Sequence, residues 1–231
     1  MSRRNARTIV AVSGVDGAGK STLIRGLQGR LAEAGLDSEV VWFRPGMGMA
    51  WVDRPVRLLK RLLGQSSGPT VRTIARDAST TPTSRKGVVG WVWCLLVTVT
   101  YLVHVRRELR GRTGVVLMDR HLADALVTLE VFYRGVDLSL PRFLVRRLLP
   151  PASATVYLSL PVDVAVARKP GDTIEHHAVT AQVAAYPAYV QPLPGTRQVD
   201  ATQSPAEVLD AAWSHVGPVV APHVDRVDRA S

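Results

Sequence analysis

A chain of 231 residues can bury one full core, so a single α/β domain is the expected organisation and a two-domain reading is not needed. The net charge of +10 comes from 29 Lys and Arg against 19 Asp and Glu; lysine occurs only at Lys20, Lys60, Lys86 and Lys169, and the arginine excess favours anionic partners. One cysteine, Cys94, excludes an internal disulfide and fits a reducing cytosol. The start, Met1-Ser2-Arg3-Arg4, has the basic character of a signal n-region, but the apolar run behind it is short and flows into a glycine loop that cleavage would destroy.

In chain order, the β-branched run from Thr8 to Val12 predicts a buried strand, followed by glycines and a helix from Lys20 to about Ala34 with Leu23, Leu27 and Leu31 four apart. Gly35 suits the left-handed cap. Glu39 to Phe43 reads as a second strand ending in Arg44-Pro45-Gly46. Val52 to Leu63 reads as a basic helix, and residues 64 to 85, polar and rich in Ser and Thr, as loop. A long helix from Val88 to Arg110 precedes a third strand, Val115 to Asp119. Helical pattern returns from Ala123 to Tyr133 and from Pro141 to Leu149, before a fourth strand from Ala154 to Leu160 and a helix to Arg168. Glu175 to Val190 is helical, and Arg197 to Asp200 is a short fifth strand. The last helix opens with Ser204-Pro205-Ala206-Glu207, a capping serine with proline at the first helical position and glutamate at the third. Alternation of strand and helix with short connections predicts a five-stranded parallel sheet with helices on both faces, formed by residues 1–216, with 217–231 as a flexible tail.

The chemistry concentrates at two places. Gly14-Val15-Asp16-Gly17-Ala18-Gly19-Lys20-Ser21-Thr22 fits G-x-x-x-x-G-K-[ST] between a strand and a helix. Glycines let backbone N–H groups curl around a phosphate, and the helix adds its positive dipole end. Lys20 supplies charge for the β- and γ-phosphates, and the Ser21 hydroxyl is suited to ligate Mg²⁺, so the segment is expected to bind a nucleoside triphosphate. Lys20 itself is expected to be solvated. The second place is Val115-Val116-Leu117-Met118-Asp119-Arg120-His121: four apolar residues, then an acid at the carboxyl edge of a sheet, where ligands of such sheets bind. Asp119 there can hold a magnesium shell or accept a proton, and Arg120 can neutralise a phosphate.

The segment at 14 to 22, with its acidic residue before the second glycine, resembles the phosphate loop of thymidylate kinases. Asp119-Arg120-His121 resembles their Asp-Arg-aromatic/His motif. Val156 to Pro161, running on to Ala167-Arg168-Lys169, is similar to the strand and helix leading into their lid, and Asp200 to Val208 to their last strand-to-helix turn near the adenine. The resemblance spans residues 8 to 210 and implies a P-loop nucleoside monophosphate kinase fold, with ATP and Mg²⁺ at Gly14 to Thr22. It also implies acceptor contacts from Asp16, Arg44 and Arg120, a catalytic or metal-shell role for Asp119, and lid charge from Arg168. The chain departs from that family where a Phe and an Arg face thymine, for those positions fall near Cys94 and Thr98. Ala18 stands where one subgroup carries a catalytic arginine, and between Arg168 and Arg197 there is no arginine and Lys169 is the only lysine. The chain looks closer to a looser set of thymidylate-kinase-like proteins that share the Arg-Pro-Gly and Ala-Arg-Lys segments.

Two acceptor classes therefore stand open: a nucleoside monophosphate or similar phosphorylated metabolite, and a hydroxyl of a sugar, nucleoside or pathway intermediate. A non-catalytic nucleotide-binding protein is a third reading, disfavoured by the joint presence of Lys20, Ser21, Asp119 and Arg120. Val88 to Val105 lacks formal charge over 18 residues, yet spanning a bilayer would put the phosphate loop and Asp119 on opposite sides. A core helix, hydrophobic all round because buried, is the expected alternative. Arg54, Arg57, Lys60 and Arg61 beside Leu58, Leu59, Leu62 and Leu63 leave peripheral membrane contact open. No basic stretch interleaved with aromatics points to nucleic acid, and no histidine spacing points to a metal. A cytoplasmic homodimer is expected.

Overall fold

The structure is a computed structural model, described for residues 7–42, 87–168 and 173–228. Five strands form one parallel sheet: β1 (Arg7–Gly14), β2 (Ser38–Trp42), β3 (Gly114–Asp119), β4 (Ala154–Ser159) and β5 (Thr196–Asp200), in the order β2-β3-β1-β4-β5. Around it lie α1 (Lys20–Glu33), α2 (Gly87–Glu108), α3 (Leu122–Phe132), α4 (Ser139–Leu148), α5 (Val162–Arg168), α6 (Thr173–Val190) and α7 (Pro205–Asp228). The strand-helix alternation, and every strand and helix expected within these residues, is present. The predicted helix from Val52 to Leu63, the loop after it, Arg44 and Lys169 lie outside the described residues.

β1 occupies the centre because it is apolar along both faces. Ile9, Val10, Ala11 and Val12 are all buried, as a strand covered on two sides must be. It pairs with β3 on one side, Val12 opposite Asp119, and with β4 on the other, Val12 opposite Val156. β2 extends the sheet beyond β3 with Trp42 opposite Asp119. The order requires the β1-to-β2 and β3-to-β4 connections to run in opposite directions across the sheet. Right-handed crossovers then put their helices on opposite faces. α1 and α7 pack together on one face, while α3 carries α4 and α6 on the other and α2 lies against α4.

Local chemistry explains the boundaries. α1 buries Leu23, Ile24, Leu27 and Leu31 on one stripe and ends at Gly35, whose φ of 72° is the left-handed geometry that glycine adopts without strain. At the start of α7, Glu207 accepts the Ser204 N–H at 2.9 Å, and the Ser204 hydroxyl lies 3.4 Å from the Glu207 N–H, the reciprocal pattern of a capping box. α7 runs through position 217, where the sequence puts the start of a tail; Val216 and Val220 are buried in the core.

α2 departs from expectation. It is not buried all round: Trp93, Cys94, Val97, Tyr101, Leu102 and Val105 form a core face, while Val88, Val92, Val99 and Val103 are 78%, 49%, 41% and 37% exposed. Its apolar residues outnumber what one contact stripe can hide, so the helix carries a second apolar face. Among the described residues no helix is long and apolar enough to cross a membrane.

The glycines of β1 and α1 give a paired test. Gly14 sits at φ 149°, and a Cβ there would meet the Leu158 carbonyl oxygen at 2.9 Å; Gly29, in the middle of α1, has nothing within 4 Å. Gly14→Ala is expected to lower stability by about 1–3 kcal/mol or more. Gly29→Ala should raise it by about 0.5–1 kcal/mol, because a helix interior favours alanine. Urea denaturation of both variants measures the difference, and equal effects would contradict this geometry.

Candidate active site

β1 delivers the chain to Gly14, and residues 15 to 19 loop back so that α1 begins at the sheet's carboxyl edge. Gly17 and Gly19 take φ values of 85° and 90°, which a side chain would resist. Ala18 N–H returns to the Val15 carbonyl at 3.2 Å, closing the turn, and Gly19 caps α1. The Thr22 and Leu23 N–H groups bond the Gly19 carbonyl at 3.1 and 3.0 Å, while those of Lys20 and Ser21 come too early in the helix for an intrahelical acceptor and face the same end as the loop. This is the geometry of an anion site.

Lys20 differs from the solvated side chain that its sequence position suggests. It is buried, its Nζ donates to the Gly14 carbonyl at 2.9 Å and the Val15 carbonyl at 2.8 Å, and Asp16 Oδ1 lies 3.7 Å away. The physical reason is that its stem packs in the core end of α1, so the ammonium must find acceptors nearby, and the loop carbonyls are the nearest. Burial lowers its pKa to about 8, the neighbouring Arg120 charge adds to this, and Asp16, Asp124 and Asp119 oppose it.

Asp119, the last residue of β3, lies beside the loop because it pairs in register with Val12. The Arg120 N–H bonds the Val12 carbonyl at 2.9 Å, extending the ladder past the strand's end. Arg120 then turns its guanidinium toward the loop, where Nη2 donates to Asp16 Oδ1. Its φ of 78° makes it the one non-glycine residue in the left-handed region among the described residues. His121 is buried next to it. Burial lowers its pKa to about 4, so its ring is neutral at physiological pH and donates Nε2–H to the Pro150 carbonyl at 3.0 Å.

Asp16, Gly17, Gly19, Lys20, Ser21, Thr22, Trp42, Asp119 and Arg120 line one cavity of about 360 Å³. Eight of these nine were singled out in the sequence; Trp42 was not. It closes the second strand, is half exposed, and is the one aromatic ring among the described residues of the lining. Its place one residue before the end of the strand expected over Glu39 to Phe43, just ahead of Arg44-Pro45-Gly46, was the available signal. Asp119 Oδ1 is buried without a hydrogen-bond partner among the described residues, and burial raises the carboxyl's pKa while Lys20 and Arg120 restrain it. An orphaned carboxylate oxygen in the same cavity as Ser21 fits the donor set of a Mg²⁺ ion, which takes oxygen ligands. Among the described residues no three of His, Cys, Asp and Glu cluster as a metal centre of their own.

Arg168 stands apart from that lining. Its Cβ lies 3.3 Å from where a Gly17 Cβ would be, so the end of α5 backs directly onto the loop, but its Nη1 donates to the Ala201 carbonyl at 3.0 Å. It therefore bridges the phosphate loop to the turn after β5, where Asp200 Oδ1 accepts the Thr202 N–H at 2.9 Å. Cys94 and Thr98, at the departures from the thymidylate kinase pattern, are both buried, with the Thr98 hydroxyl on the Cys94 carbonyl at 2.8 Å. Burial pushes the Cys94 thiol up to about 12, which makes it an inert core residue.

No protein-family model matches the chain, and no curated protein matches it. Solved structures do. One is the deoxyadenosine kinase from M. mycoides, described with the products dCMP and a flexible dCDP bound. It is 16% identical over 92% of this chain and 100% of that one, with a TM-score of 0.57. At that identity the likeness establishes the fold: a P-loop kinase α/β domain built on a five-stranded parallel sheet. It does not single out thymidylate kinases.

Proposed function

We propose that the chain is an ATP-dependent phosphotransferase that moves the γ-phosphoryl group onto a nucleoside monophosphate or a similar small phosphorylated metabolite, working in the cytoplasm. The observation that carries this is the single cavity in which Lys20, Ser21, Asp119, Arg120 and Asp16 meet. Phosphoryl transfer asks little covalent chemistry of a protein; it asks for alignment and for charge to meet the developing negative oxygens. The loop N–H groups and Lys20 hold the donor's phosphates. Ser21 and Asp119 would hold Mg²⁺, which when bound neutralises charge on the phosphate oxygens. Asp119 or Asp16 orients the acceptor oxygen, Arg120 faces the acceptor's phosphate, and Arg168 adds charge from beside Gly17. Arg44 remains the acceptor contact that the resemblance implies.

One observation favours the second acceptor class. With Cys94 and Thr98 buried and bonded to one another, α2 presents neither ring nor arginine there, and a pocket that loses such buried hydrogen bonds discriminates against the base by several powers of ten. A kinase of a sugar, nucleoside or pathway intermediate would keep the donor side and rebuild this one. The ligands described for the M. mycoides enzyme make nucleosides and their monophosphates the first panel to assay. A coupled ADP-release screen over these and sugar phosphates tests both readings, and no release with any acceptor would refute the enzyme assignment.

The donor side gives a pH prediction. ATP binding needs the Lys20 ammonium, and with its pKa at about 8 the charge is lost as pH rises through that value. ATP affinity is expected to fall across pH 7 to 9.5 by calorimetry. Lys20→Arg should bind with little pH dependence, since guanidinium stays charged, and Lys20→Ala should abolish transfer.

Arg120 and Asp119 separate the acceptor classes. Arg120→Lys keeps a charge but loses the fork, so a phosphorylated acceptor should bind about tenfold or more weakly through KM. Asp119→Asn should instead lower kcat and leave acceptor KM in place. An unchanged KM in Arg120→Lys counts for the hydroxyl acceptor.

The exposed valines of α2 support a homodimer. Val92, Val99 and Val103 follow helical spacing on a face that water would otherwise wet. Val99→Asp with Val103→Asp should convert a dimer into a monomer by sedimentation, whereas a wild-type chain already monomeric at high concentration would refute the dimer.

A further inference from the structure

Asp124 lies in the first turn of α3, outside the cavity lining, and is buried. Its Oδ1 accepts the Tyr186 hydroxyl at 2.7 Å and lies 3.4 Å from the Gly14 N–H, while Oδ2 accepts the His121 N–H at 3.0 Å. Arg120 Nη1 sits 3.7 Å from Oδ1, and the opposite guanidinium nitrogen, Nη2, is the one that holds Asp16. The guanidinium is thus slung between a carboxylate on the cavity side and one in the core.

A helix cap alone does not need this arrangement. A capping carboxylate is served by helix N–H groups in water, and a buried one is tolerated only where charge and hydrogen bonds compensate it. Here the compensation comes from separate parts of the chain: the first loop glycine, the turn after β3, and Tyr186 of α6. Tyr186 is itself fixed, stacked on Tyr157 of β4 at 5.2 Å between ring centres. Tyr101 of α2 lies within range of the Asp124 and Arg120 charges. Arg120 meanwhile holds a backbone conformation that only surrounding structure can maintain in a non-glycine residue.

We propose that Asp124 is the positioning residue for Arg120, with Tyr186 fixing the carboxylate, so that the guanidinium meets the acceptor's phosphate in one orientation. This rests on the reading of Arg120 as the acceptor-phosphate residue. Asp16, itself partly exposed, fixes the guanidinium at one end only; a second carboxylate behind it fixes the other end before the acceptor arrives.

Asp124→Asn keeps the side chain's shape and removes its charge. The arginine Nε–H spectrum of isotopically labelled protein reads the guanidinium directly, with the Arg120 signal identified by its loss in Arg120→Lys. In Asp124→Asn that signal is expected to broaden and exchange faster with water. With ATP and whichever nucleoside monophosphate of the panel is turned over, acceptor KM should rise about tenfold with kcat and ATP KM little changed. Tyr186→Phe, which keeps Asp124 and tests the same chain if Asp124→Asn does not fold, should raise acceptor KM by about threefold. Asp124→Asn combined with Arg120→Lys should be no worse than Arg120→Lys alone. An Arg120 signal unchanged in both Asp124→Asn and Tyr186→Phe overturns the proposal, as does a broadened signal with unmoved acceptor KM or multiplied effects in the double variant. A wild-type protein that phosphorylates only uncharged alcohols defeats the acceptor reading instead; the spectrum then decides on its own whether Asp124 holds Arg120.

Discussion

The buried guanidinium of Arg120 is the constraint on which the site depends. A charge at that depth is tolerable only beside opposite charge, and the chain supplies Asp16 from the loop and Asp124 from α3. Lys20 is pressed into the same cluster, where burial and the Arg120 charge together weaken its proton. Two cations and three carboxylates in close quarters leave little freedom: moving any of them exposes a partner to an uncompensated charge. The parallel sheet makes the cluster possible, because only the register of β1 against β3 brings Val12 opposite Asp119, and so the loop beside the Asp-Arg turn.

Much of this was legible in the chain because it is local. The phosphate loop is a contiguous motif between a strand and a helix, and the caps at Gly35 and Ser204 are signalled by residues within one turn. Asp119 could be read from four apolar residues before an acid. Trp42 and the Asp124–Tyr186 pair could not: their importance comes from partners brought together across the sheet, and nothing next to Asp124 in sequence announces Tyr186. The spacing of His121 and Asp124 does match the two ends of a capping box, which was the available hint. The conformation of Lys20 was misjudged because a motif fixes where a side chain is attached and not which carbonyls it finds. α2 was misjudged because a uniformly apolar helix has no period to reveal which side faces the core.

The phosphate loop is a meeting place for distant segments. α5 reaches it through Arg168 against Gly17, β4 through the Leu158 carbonyl beside Gly14, and α3 through Asp124. The loop's shape is therefore held by contacts from two helices and one neighbouring strand, which is how a glycine-rich turn stays rigid.

The central place of β1 also shapes how the protein comes into being. Arg7 waits for Gly114 and Val10 for Ala154, and on the far face Thr8 meets His223 at 2.7 Å. At synthesis rates of about 5–20 residues per second, the first strand stays unpaired for on the order of ten seconds on the ribosome. During that interval Thr8 to Val12, a short β-branched run without charge, is an open template for another chain's edge. The strand that later carries the glycine loop is thus a segment of the nascent chain in need of shielding, and the cavity between Lys20 and Asp119 is among the last features to exist.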